Sequence, residues 1–192
     1  ILMIMSVLIL FNMYTTIGTH LSLYFAPYMS EVLKIEKSMI SLLGVANSAT
    51  MIAALVFINP ILSGKNTITN MVTGLILQAC GLFMLITIPT NNLVITILAV
   101  MVFAAGFGIF RPFADAMLAE VTEGNTRATI YSLLNTGISI LSATMGLISG
   151  YIYDLNPRLI YIISICILFI CMLVLLSMKK SFSTQNSDGE AL

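Results

Sequence analysis

The chain has 192 residues, of which 59% are apolar and 8% charged, whereas a soluble domain is about half apolar and about a quarter charged. Eight basic and eight acidic residues cancel, which excludes a basic nucleic-acid footprint and leaves too few charges to clothe a water-facing surface. The sequence reads as an all-α membrane protein.

The charges are segregated. No Asp, Glu, Lys or Arg occurs in Ile1–Ser30, Ser38–Gly64, Asn66–Phe110, Ala128–Tyr153 or Leu159–Met178, and each stretch holds at least one helix of about 20 residues, enough to cross roughly 30 Å of hydrocarbon. The third stretch holds two, divided by Pro89-Thr90-Asn91-Asn92, a turn whose amides can cap the following helix. Six crossings are predicted: Ile1–Pro27, Ser38–Leu62, Thr67–Ile88, Leu93–Glu120, Ala128–Tyr153 and Leu159–Met178. Residues 1–180 form one transmembrane domain on this reading, and the polar residues 181–192 a disordered tail. Ile1–Phe11 lacks a basic leader and runs on into Asn12–Tyr24 as one helix, and a start inside an apolar run points to sequence upstream.

Six crossings put both termini on one side. Lys65, Arg127, Lys179 and Lys180 fall on that side, against Lys34, Lys37 and Arg158 on the other, so the positive-inside rule favours cytoplasmic termini by one charge.

The first crossing carries Asn12, Thr16, His20 and Tyr24 at i,i+4, a polar stripe that needs a polar neighbour. For Asn12 and Thr16 a bond to another helix competes evenly with a substrate contact. His20, the only histidine, is a proton-coupling candidate, set against the commoner role of a hydrogen-bonded residue near a helix end. The second crossing adds Ser41, Asn47, Ser48 and Thr50, with Gly44 as a close-contact point; the third adds Asn70, Thr73 and Gln78.

The fourth crossing holds the sharpest feature, Gly106-Phe-Gly-Ile-Phe-Arg-Pro-Phe-Ala-Asp115. Pro112 has no N–H, so the carbonyl of Gly108 loses its helical partner, and Gly106, Gly108 and Pro112 together mark a hinge. Arg111 and Asp115 share a helix face, and an intramembrane charge costs about 2.5–3.5 kcal/mol on the insertion scale unless paired or hydrated. One reading makes the pair structural, with Arg111 snorkelling from near the interface. The other makes Arg111 a cavity residue that holds an anionic group or poises Asp115, since it stands about 13 Å inside Glu120 at 1.5 Å per residue.

In the fifth crossing Ser132, Asn135, Thr136 and Ser139 form a polar half, followed by Ser142, Gly146 and Gly150 in a small-xxx-small packing half. The sixth offers little beyond Ser164 and two cysteines and reads as a peripheral helix held by packing. Cys80, Cys166 and Cys171 read as small apolar-span residues; their odd number and the lack of a CxxC pair argue against a disulfide framework or a metal site, and no cofactor is expected. A single histidine without His-Glu-x-x-His argues against an intramembrane protease, and no potassium-channel filter sequence occurs.

Gly106-Phe-Gly108, Pro112, Ala116-Met-Leu-Ala-Glu120, Arg127-Ala and the helix ending Gly146-Leu-Ile-Ser-Gly150-Tyr-Ile-Tyr-Asp154 resemble the tenth and eleventh helices of the major facilitator superfamily. Leu23-Tyr24, Glu31-Val-Leu and the serine before the next helix are similar to its seventh-to-eighth connection. The resemblance covers nearly the whole chain, as the C-terminal six-helix half. It implies helices seven to twelve, a three-plus-three inverted repeat of Ile1–Ile88 and Leu93–Met178, and a cavity lined by the seventh, eighth, tenth and eleventh helices with the ninth and twelfth outside. Gln78 in the ninth does not fit that scheme. Two departures stand out: the loop after the eighth helix is reduced to Ser63-Gly64-Lys65-Asn66, and Arg111 stands where many members carry a neutral residue.

The expected function is half of a secondary active transporter in the cell membrane, moving a small solute by alternating access against an N-terminal six-helix half in the same longer chain or a second one. By analogy it is a proton-coupled exporter of small amphipathic compounds. The expected cavity residues are Asn12, Thr16, His20, Asn47, Arg111, Asn135, Thr136 and Ser139, with Asp115 or His20 as coupling groups. The alternative is a truncated or regulatory membrane fragment without transport of its own.

Overall fold

A computed structural model describes residues 2–18, 24–64, 66–122 and 127–189, and among these the chain is all-helical. We number the long helices α1 (Leu2–Gly18), α2 (Lys37–Leu62), α3 (Thr67–Thr87), α4 (Leu93–Val121), α5 (Arg127–Leu155) and α6 (Pro157–Gly189). The last five are long and apolar enough to cross a membrane. α1 is equally apolar over its 17 described residues.

Residues 19–23, inside the single helix expected over Ile1–Pro27, lie outside the described residues. α1 is described as far as Gly18, and from Tyr24 the described chain forms one helical turn, Phe25–Pro27, passing into a π turn, Tyr28–Val32. Lys34, at φ 54°, closes that turn, with Ile35 N–H donating to Met29 O at 2.9 Å. At the other end of the chain α6 continues to Gly189, past the start of the tail expected to be disordered. No proline or glycine occurs between Pro157 and Gly189 to stop it.

Amides set the helix starts. Asn66 Oδ1 accepts from Ile68 N and Thr69 N at the head of α3, and Asn92 Oδ1 accepts from Ile95 N at 3.1 Å at the head of α4, as the Pro89–Asn92 turn predicts. Asn91 takes φ 65° in that turn, a conformation asparagine tolerates, and its N–H bonds Leu33 O at 2.8 Å, tying the α3–α4 turn to the α1–α2 connection.

The helices pack in two rows. In the front row the order is α2, α4, α1, α5; behind it α3 backs α4 and α6 backs α1 while also touching α3 and α5. The core lies where the rows meet, around Phe11, Tyr14, Met71, Leu75, Phe103 and Phe110. α3 and α4 are half buried along their spans, whereas only 17% of the α2 span and 11% of the α5 span is buried. α2 and α5, the outer members of the front row, are therefore the spans that the chain's own packing covers least.

α3 and α4 approach most closely. A Cβ on Gly106 would lie 2.6 Å from Gly74 O, and one on Gly81 2.7 Å from Phe103 Cβ. Gln78 sits fully buried on this seam, accepting from Tyr14 Oη at 3.0 Å and donating to Gly74 O. The glutamine that did not suit an outer helix is a core residue joining α3 to α1.

Candidate functional site

α1 and α5 run parallel in register. Thr16 Oγ1 bonds Ser142 Oγ at 3.1 Å across 126 residues of sequence, and Tyr24 meets Gly150 at the same separation, its ring stacked on Tyr153. Asn12 therefore stands level with Ile138 and Ser139. α1 and α4 meet through Phe11, whose ring lies 4.1 Å from Phe110 and 5.5 Å from Phe107, so Asn12 and Arg111 each follow a ring of one aromatic cluster.

Asn12 and Thr16 bond first to carbonyls of their own helix. Asn12 Nδ2 donates to Leu8 O at 2.8 Å, and Thr16 Oγ1 reaches both Asn12 O and Ser142. Buried hydroxyls and amides in an apolar helix take the nearest backbone carbonyl, which costs no second side chain. His20 lies outside the described residues.

Asn47 is buried at 1% exposure on α2, and its Oδ1 meets no donor among the described residues. An unsatisfied buried acceptor costs about 1–3 kcal/mol. On α5, Asn135, Thr136 and Ser139 are exposed; Thr136 and Ser139 bond the carbonyls of Ser132 and Asn135. Among the described residues no hydrogen bond joins these three to Arg111 or Asn47.

Arg111 Nε donates to Asp115 Oδ2 at 2.9 Å, the i,i+4 pairing expected from the sequence. Their side chains remain 41% and 47% exposed, so neither charge is sealed in the bundle. α4 is continuous through Pro112. Gly106 abuts α3, and Gly108 abuts α2, where a Cβ would lie 3.0 Å from Ala54 Cβ and Met51 O. The expected hinge glycines are thus also close-packing points of α4.

The small-residue half of α5 is only partly engaged. Gly150 meets the Tyr24 hydroxyl, but a Cβ on Gly146 would meet nothing within 4 Å among the described residues, and the same holds for Gly44 on α2. The close approach expected at Gly44 and Gly146 is not seen among the described residues; in the α1–α5 register the position level with Gly146 is residue 20, which lies outside them.

Three connections escaped the sequence reading. Asn59 Nδ2 donates to Gly108 O at 2.9 Å, the carbonyl that Pro112 deprives of its partner; the signal available was a second Asn-Pro inside an apolar span. Tyr153 Oη donates to Glu31 Oε2 at 3.0 Å, tying α5 to the π turn. Tyr28, packed edge-on against Tyr161, donates to Leu85 O; burial pushes its phenol up while the Arg158 charge opposes that shift.

The sequence profile of the Major Facilitator Superfamily matches residues 2–191. The chain belongs to that superfamily. Membership makes it an integral, multi-pass membrane transporter of small solutes, in a family generally without enzymatic activity. No curated protein matches it. In major facilitator terms, the front row of α2, α4, α1 and α5 carries all the expected cavity residues that the structure describes, while α3 and α6 behind it carry none of them.

Proposed function

We propose that the chain is the C-terminal half of a secondary active transporter, with helices seven to twelve as a three-plus-three inverted repeat. On this reading it rocks against an N-terminal six-helix half, and the solute passes between the front row and that half. The observation that carries this is the Arg111–Asp115 pair: an ion pair left half-exposed on an apolar helix of the row whose outer members are the least buried. A charge in a span costs too much to leave facing oil, so an aqueous vestibule is its natural surround.

Arg111 is proposed to hold an anionic or hydrogen-bond-accepting group of the solute. Asp115, or His20, takes up and releases the coupling proton, and protonation of Asp115 frees the guanidinium for the solute. Asn12, Thr16, Asn47, Asn135, Thr136 and Ser139 supply hydrogen bonds around it, and Gly106, Gly108 and Pro112 let α4 flex. The direction is export of a small amphipathic compound across the plasma membrane, with both termini cytoplasmic.

The test is transport by the full-length protein in proteoliposomes, with and without an imposed proton gradient. Arg111→Leu is expected to lower the rate at least tenfold. Asp115→Asn is expected to abolish gradient-driven accumulation while leaving solute exchange at equal pH. Unchanged transport and solute affinity in Arg111→Leu would overturn the assignment of the site.

A further inference from the structure

Two helices carry a proline within the span, and the fold sets the two breaks against each other. In α2 the pair Asn59-Pro60 follows a π turn, Ala54–Ile58, in which Asn59 N–H reaches back five residues to Ala54 O. Pro60 has no N–H for Val56 O, and a π turn is one form a helix takes where its regular ladder is interrupted. In α4, Pro112 leaves Gly108 O without its helical donor. Asn59 Nδ2 supplies a donor at 2.9 Å.

Two further observations sit at the same place. Gly108 lies so close to the π turn that a side chain there would press on Ala54 Cβ and Met51 O. The second amide atom, Asn59 Oδ1, is buried and meets no donor among the described residues. An amide that leaves its oxygen unsatisfied while its nitrogen is bonded is oriented by its role as donor. In an apolar surround, a backbone carbonyl freed by proline must be satisfied by a neighbouring group, and here that group belongs to another helix.

We propose that Asn59 is a positioning residue, a latch that locks the proline break of α2 onto that of α4. It sets the direction of the α4 segment Arg111–Val121, which begins three residues beyond the latched carbonyl. Its backbone N–H closes the π turn of α2 and its side-chain amide holds the carbonyl that Pro112 frees, so the two sites move together. The consequence for transport rests on the role given above to Arg111 and Asp115; the latch itself does not.

The experiment is a double-mutant cycle in the full-length protein. Pro112→Ala restores an N–H for Gly108 O and makes the Asn59 amide redundant. The position of the segment is read as the rate at which a membrane-impermeant maleimide labels Glu120→Cys, with Cys80 and Cys166 replaced by alanine. Asn59→Leu is expected to change that rate about three- to tenfold when Pro112 is present, and less than twofold in the Pro112→Ala background, the size expected for one interhelical bond to a freed carbonyl.

Equal effects in both backgrounds, or no effect with Pro112 present, would overturn the latch. Folding of Asn59→Leu only in the Pro112→Ala background supports it, and failure in both backgrounds overturns it. Should Pro112→Ala itself not fold, Asn59→Gln and Asn59→Glu decide: they are alike in length and only the first donates at neutral pH, so equal labelling rates overturn the proposal. Transport is measured on the same proteins. Absence of transport in the parent would sink the transporter reading while leaving the labelling cycle intact.

Discussion

The seam between α3 and α4 and the seam between α1 and α5 are built from similar residue types and end differently. In the first, glycines on both helices bring backbone against backbone, with Gly74 and Gly106 face to face and Gly81 against Phe103. In the second, contact comes through the Thr16–Ser142 bond and Tyr24 on Gly150, while a Cβ on Gly146 between them would meet nothing within 4 Å among the described residues. Lipid offers no hydrophobic drive for helices to associate, so close van der Waals contact and interhelical bonds must do it. The α3–α4 pair has the close contact, and the α1–α5 pair has the interhelical bond. α5, like α2, keeps a largely open face.

The largest effect is expected where backbone meets backbone. In Gly106→Leu the new side chain would displace Gly74 O and Gln78 N, neither of which can swing aside. A loss of about 3 kcal/mol is expected, at the upper end for overpacking, read as a fall in thermal midpoint or loss of the monodisperse species in detergent. A midpoint like the parent's would show that the two helices are not locked at this point.

Gln78→Leu comes next. It strips the fully buried Tyr14 hydroxyl of its acceptor, at about 1–3 kcal/mol for an orphaned buried group. Adding Tyr14→Phe removes the orphan, so the double variant should recover much of the loss. Additive losses would mean that the two side chains act independently.

The sequence showed these regions unevenly. Charge-free runs and the Pro89–Asn92 turn located the helices, because bilayer thickness and turn chemistry are local rules. The Arg111–Asp115 pair was legible for the same reason, since i,i+4 spacing on a helix decides it. The partners of Gln78 and Asn59 were not legible, because each lies on another helix and no spacing within one helix names it. Proline did announce that Gly108 O would need a donor, and only the fold could say that it is Asn59. The small residues of α5 were legible as a packing face, with Ser142 and Gly150 meeting α1, but their partners Thr16 and Tyr24 were not, for a related reason. A glycine marks where a helix can come close, and whether one does depends on what stands opposite.

The Thr16–Ser142 bond is expected to contribute less, about 0.6 kcal/mol, as interhelical bonds in membranes do on average. Thr16→Val and Ser142→Ala in a double-mutant cycle should show a coupling of that order in unfolding measured in mixed micelles. Coupling near zero would make Thr16, already bonded to Asn12 O at 3.0 Å, a residue of α1 alone.

Gly146 closes the comparison with the smallest effect on folding. With nothing within 4 Å of its missing Cβ among the described residues, Gly146→Leu should leave the thermal midpoint of the isolated chain within about 0.5 kcal/mol of the parent, in contrast to Gly106→Leu. If the open face of α5 is where a second half seats, the same substitution in the full-length protein should impair transport severalfold, because a leucine holds apart backbones that a glycine lets meet. Loss of transport with unchanged folding would assign that face to the rocking interface. Transport equal to the parent's would leave Gly146 facing lipid, and the docking surface would then have to be sought along α2, whose Gly44 is equally open.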